Sequence, residues 1–170
     1  VEKPVETLTM READQTGNFV SNGEFLEDED LTDDVNWKFL LFNGGEGSAE
    51  INAEDGEIVI TSQNEGTEEY SVQLVQPEMP MTKGKSYRFS FEAYAEEDRE
   101  MKAAVTAPDA NWIRYFPDTT VELGPDWQTY EFEFDMKDED DDNGRVEFNM
   151  GKQRSTATIH IRNVRLELNE

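Results

Sequence analysis

The chain has 170 residues, 40 acids against 15 bases, and a formal net charge of −25. A field of that sign repels nucleic acid, anionic membranes and polyanionic glycans, and leaves neutral ligands, cations and basic partners. With no cysteine there is no disulfide, thiolate metal site or cysteine nucleophile, while ten Phe, five Tyr and three Trp exclude a disordered acidic chain.

The length fits one domain with a core that needs no staples. The acidity reads first as solubility in a salty, alkaline or extracellular setting. No apolar run approaches the length of a bilayer-spanning helix. Val1 stands in place of a methionine, so the sequence reads as a piece of something longer.

Residues 1–17 are polar and weakly patterned, a linker or lead-in strand before a domain over residues 18–170. Asn22-Gly23 and Phe25 predict a tight turn in an opening strand, followed by an acidic loop and then Trp37. From there the period is two. Asp55-Gly56 divides two strands into a hairpin. The next strand sets Tyr70, Val72 and Leu74 against Ser71, Gln73 and Val75. Tyr87, Phe89, Phe91 and Ala93 alternate with Arg88, Ser90, Glu92 and Tyr94, and Tyr130, Phe132, Phe134 and Met136 alternate with Thr129, Glu131, Glu133 and Asp135. An acidic turn ending at Asn143-Gly144 precedes a strand with Val146, Phe148 and Met150 on one face and Glu147, Asn149 and Gly151 on the other. The last strand carries a bulge near Asn163. Short antiparallel strands separated by turns every ten to fifteen residues predict an all-β sandwich or barrel.

The opposite faces of two strands are unusual. Ser71/Gln73 and Asn149/Gly151 are small residues and amides in a chain crowded with Glu. An amide offers a donor and an acceptor together and so suits a hydroxylated ligand. Catalytic patterns are weak. The one histidine, His160, is out of phase with Ile159 and Ile161 and reads as a surface residue. No G-x-S-x-G elbow occurs. Among forty acids chance carboxylate pairs are certain, and those alternating with Phe132 and Phe134 face solvent. The acidic turn from Asp138 fails the calcium-loop register, with Asn149 or Met150 where a bidentate Glu is needed.

Taken in order, FVSNGEF with Trp37, EYSVQLVQ, MTKGKSYRFSFEAYA, DWQTYEFEF and RVEFNMG…ATIHIRNVRLEL resemble the β-jelly-roll carbohydrate-binding modules of the family 4, 9, 16 and 22 group. The resemblance spans roughly residues 18–168. It implies a sandwich of two antiparallel sheets and a non-catalytic module. The module would bind a neutral polysaccharide or oligosaccharide on a concave sheet, with β-1,3- or β-1,4-glucan favoured. It also implies an extracellular, bacterial setting and a monomeric unit tethered to a glycoside hydrolase, with no nucleic-acid or membrane partner. The alternatives are an adhesive β-sandwich of a surface protein and a small jelly-roll hydrolase.

Carried over by position, the ligand-binding residues are Trp37, Gln73, Trp112, Arg114, Tyr115 and Asn149, with Trp127 structural. No cofactor is required. Many members hold a structural calcium with a carboxylate after the opening Phe and another in the last strand; here those positions are Leu26 and Arg162, and Glu24 is the remaining metal candidate.

Overall fold

The computed structural model describes residues 12–32 and 36–169. Among these residues period-two alternation produces ten strands: β1 (Lys38–Leu41), β2 (Gly45–Asn52), β3 (Glu57–Glu65), β4 (Val72–Met81), β5 (Ser86–Ala95), β6 (Arg99–Ala107), β7 (Ile113–Leu123), β8 (Gln128–Asp135), β9 (Asp141–Asn149) and β10 (Ile159–Leu168). They form two five-stranded antiparallel sheets, β1-β4-β9-β6-β7 and β2-β3-β10-β5-β8. Among the described residues there is no α-helix. The inward faces meet in one aromatic core, where Phe148 of the first sheet lies 5.0 Å edge-on to Phe91 and 5.9 Å from Phe89 of the second.

Three of the turns need glycine. Gly44, Gly56 and Gly84 take φ of +86°, +70° and +89°, the left-handed region that glycine enters without steric cost. Asn143-Gly144 is a correction. The acidic turn ends earlier, and both residues lie inside β9. Asn143 accepts the Glu78 N–H through Oδ1 at 2.9 Å, and a Cβ on Gly144 would come within 2.6 Å of Met81 Cγ. The dipeptide serves a close approach of two strands, not a reversal.

The opening segment also differs from expectation. Residues 12–32 contain no strand, and Asn22 and Phe25 both have positive φ. The segment is a strap held by separate ties. Phe19 donates to the Leu166 carbonyl at 2.8 Å, Val164 donates to the Gly23 carbonyl at 2.9 Å, and the buried Gln76 amide bonds both the N–H and the carbonyl of Ser21. The strap therefore joins β10 to β4 across the two sheets.

Trp37 closes the core beneath this strap. It is fully buried, 5.2 Å from Phe25 and 6.5 Å from Phe148, and its indole N–H donates to the Asn22 carbonyl at 3.1 Å. A ring covered by phenyl groups, with its donor already satisfied, has nothing to offer a sugar. The expectation that Trp37 contacts ligand is therefore corrected.

The bulge in β10 is where alternation predicts it. The register with β5 shifts between Arg162 and Arg165, and Asn163 takes a φ of 53°. Arg162 Nε and Asn163 Nδ2 donate to the two oxygens of Glu92 at 2.8 and 3.0 Å. Burial alone would raise the Glu92 carboxyl, but these hydrogen bonds and the nearby guanidinium outweigh it and hold the group below its ordinary value. A depressed carboxylate stabilises the fold above its unfolded-state pKa, and that contribution is lost as pH falls through the folded value. Glu92→Gln is therefore expected to lower the melting temperature at neutral pH and to flatten the acid limb of stability, measured down to about pH 3. An acid limb identical to that of the parent protein would show that the latch contributes nothing.

Candidate functional site

The outer face of the first sheet is built in rows. Gln73 of β4 pairs with Asn149 of β9, which pairs with Lys102 of β6. Two residues along β9 comes Glu147, and two further comes Arg145, opposite Thr106 of β6, which pairs with Arg114 of β7. Directly opposed residues on one face have their side chains within reach. The Gln73 Nε2 group accordingly donates to Asn149 Oδ1 at 2.8 Å.

These rows form the floor of a cleft of about 450 Å³. Aromatic groups stand at both ends of it. At one, Tyr70 and Phe42 meet edge-on with centroids 6.0 Å apart, and Asn43 Nδ2 donates to the Tyr70 hydroxyl at 3.1 Å. At the other stands Trp112, with the Arg145 guanidinium 4.6 Å from its ring centroid. Phe42, Tyr70 and Trp112 are 43, 45 and 47 % exposed, in a protein whose other Trp and Phe side chains are mostly covered. Exposed rings gathered about one hollow indicate a binding surface.

The backbone at Trp112 is strained. Asn111 and Trp112 have φ of 62° and 63° in succession, and the Trp112 N–H donates to the Ala107 carbonyl at 2.9 Å. Asn tolerates this left-handed conformation, but a bulky aromatic does so only at a cost. The turn lifts the indole out over the sheet. Arg114 braces it, donating from Nη1 to the Trp112 carbonyl at 2.6 Å and from Nε to Asp118 at 3.0 Å.

Gln73, Trp112, Arg114 and Asn149 thus line one cleft. Tyr115 does not, and that expectation is corrected. It alternates inward from Arg114, is only 7 % exposed, and donates its hydroxyl to Asp141 Oδ2 at 2.7 Å. Burial, with Asp141 beside it, pushes the phenol far above its ordinary value, so it stays neutral.

Sequence reasoning did not single out Phe42, Glu69, Tyr70, Asp118, Arg145 or Glu147 as site residues, although all line the cleft. Alternation placed Tyr70 inward with Val72 and Leu74. A 3-10 turn at Glu69–Ser71 breaks the phase just before β4 and turns the ring outward. Glu147 was one acid among forty. In the structure it is 2 % exposed and sits among donors: Thr106 Oγ1 and Arg145 Nε reach Oε2 at 2.9 and 2.8 Å, and Asn149 Nδ2 approaches Oε1 at 3.3 Å.

The positions expected to hold calcium do not fit a cation. Leu26 is 58 % exposed and apolar, and Arg162 lies 3.9 Å over the Trp127 ring while pairing with Glu92. Among the described residues no group of three or more His, Asp or Glu side chains could hold a metal, so Glu24 has no such set around it. On the outer face of the second sheet, His160 is 8 % exposed rather than a free surface residue. It stacks 4.2 Å from Tyr94 and lies between Glu57 and Glu96 at 2.7 and 3.0 Å.

The family model described as Carbohydrate binding domain, CBM_4_9, matches residues 17–158. The chain belongs to this carbohydrate-binding family. A solved structure described as "CBM4 structure and function" is similar to this carbohydrate-binding domain at 25 % identity and a TM-score of 0.79, covering 88 % of this chain and 99 % of its own. The N-terminal cellulose-binding domain of Cellulomonas fimi β-1,4-glucanase C shares the fold at 19 % identity and a TM-score of 0.66, over 89 % of this chain and 97 % of that one. A CBM22-1 xylan-binding domain from Paenibacillus barcinonensis shares it more loosely, at 10 % identity and a TM-score of 0.52, over 84 % and 93 % of the two chains. Curated protein sequences give no match. The carbohydrate-binding domain is thus a jelly-roll sandwich of two antiparallel sheets with a ring-flanked, amide-floored cleft on one of them.

Proposed function

We propose that this domain is a non-catalytic module that binds a neutral β-glycan, a β-1,3- or β-1,4-linked glucan, in the cleft on the first sheet. Outside the cell it would bring an attached polysaccharide-degrading enzyme to its substrate. The carrying observation is the pairing of exposed rings at both ends of the cleft, Tyr70 with Phe42 and Trp112, with the Gln73–Asn149 amides between them. A pyranose ring has apolar C–H faces that stack on aromatic rings and a rim of hydroxyls that amides can satisfy. Three acids and two arginines line the cleft, a near balance that favours an uncharged ligand over a polyanion. The floor is part of a paired sheet, so little ordering opposes binding.

Affinity gel electrophoresis against laminarin, barley β-glucan, xylan, mannan and pectin tests this reading. Retardation is expected in laminarin or barley β-glucan and not in pectin. Unretarded migration in every gel would sink the proposal, and release of reducing sugar by the isolated domain would overturn its non-catalytic part.

A further inference from the structure

We propose that Glu147 is a positioning residue that sets the hydrogen-bond polarity of the cleft floor, so that Gln73 Oε1 is presented to a hydroxyl donated by the ligand. The inference rests on the reading of the cleft as a glycan site and adds the feature by which that site would choose its ligand.

An amide can point either way, and its direction is decided by its neighbours. An ionised carboxylate only accepts. Glu147 Oε2 is already taken by Thr106 and Arg145, and Oε1 faces the Asn149 amide at 3.3 Å. Asn149 must therefore turn its NH₂ toward Glu147 and its Oδ1 toward Gln73. Gln73 in turn must give its Nε2 hydrogen to Asn149, as it does at 2.8 Å. One end of a three-residue ladder thus dictates the other.

The outcome lies at Gln73. Its side chain is buried to 3 % exposure, yet its Oε1 accepts no hydrogen bond among the described residues and is not sealed from solvent. A buried acceptor left open in a cleft is a place for a donor. The ligand group that suits it is a free sugar hydroxyl acting as donor; a methyl ether at that position would leave Oε1 unpaired. Reversing the ladder would present an NH₂ there and ask the ligand to accept instead.

The test has two readouts. The first needs no ligand: trans-hydrogen-bond NMR coupling from Gln73 Nε2 to the Asn149 side-chain carbonyl carbon. The second is calorimetry with cellohexaose and laminarihexaose. The wild-type domain is expected to show the coupling in that direction; coupling from Asn149 Nδ2 to the Gln73 carbonyl carbon would overturn the proposal without any variant. Glu147→Gln can donate as well as accept, so the coupling should be lost and affinity should fall roughly tenfold. Adding Asn149→Asp restores an acceptor-only residue beside Gln73. The double variant E147Q/N149D is expected to regain the orienting effect and to bind within about threefold of wild type, which a merely structural loss would not permit. An unchanged coupling in E147Q, or a double variant no better than the single one, would overturn the proposal. If wild type binds neither oligosaccharide, the glucan reading fails by itself, and the coupling comparison still decides the role of Glu147.

Discussion

Replacing Trp37 with alanine is expected to cost about 3–5 kcal/mol of folding stability, the usual range for truncating a buried aromatic. That is a large share of the roughly 5–15 kcal/mol that holds a typical domain together. The reason is local and specific. The ring fills the space between Phe25 and Phe148, and its N–H satisfies the Asn22 carbonyl in the strap. Truncation would leave a cavity and an unpaired carbonyl together, and would loosen the contact between residues 18–25 and the sheets. Trp37→Phe should recover part of the loss, since it refills the cavity without restoring the hydrogen bond. Urea unfolding measures both. A Trp37→Ala protein with normal stability and weakened glycan binding would contradict the burial and return the residue to the cleft.

Trp112→Ala should do the reverse. The fold should melt near its normal temperature, because the side chain is 47 % exposed and its neighbours Ile113 and Arg114 are exposed as well. Binding should weaken by roughly 1–3 kcal/mol, the loss expected for an aromatic anchor. Alanine keeps a Cβ at the left-handed φ, so Trp112→Gly provides the control: glycine accepts that φ freely, yet it should bind as poorly as alanine. Calorimetry with laminarin or barley β-glucan reads the difference. Unchanged affinity in both variants would remove Trp112 from the site.

The contrast between these two tryptophans shows what was legible in the sequence. Strand alternation located the hairpin at Gly56, the inward Phe89 and Phe91, and the outward Gln73 and Asn149, because period two depends only on residue order. It could not rank Trp37 against Trp112. A tryptophan outside a strand has no phase, and its burial depends on segments distant in sequence, here Phe25 and Phe148. Tyr70 was misplaced for a related reason: a 3-10 turn rotates it by a step that alternation does not contain. Glu147 was invisible as a site residue because its neighbours, not its type, distinguish it. Thr106, which bonds it, is 41 positions away.

The bulge at Asn163 has a consequence for how β10 can vary. Before it the inward residues are Ile159 and Ile161, at odd positions; after it they are Val164 and Leu166, at even ones. The strand thus changes parity in mid-course. Substitution at any single position leaves the count of residues intact. Loss of Asn163 would instead remove the extra residue: alternation from Ile159 would run unbroken, Val164 and Leu166 would stay inward, and one of the two donors to Glu92 would be gone. The added length of this strand therefore serves its outer face, where it brings Arg162 and Asn163 together on Glu92, and not the core, whose inward pattern does not depend on it.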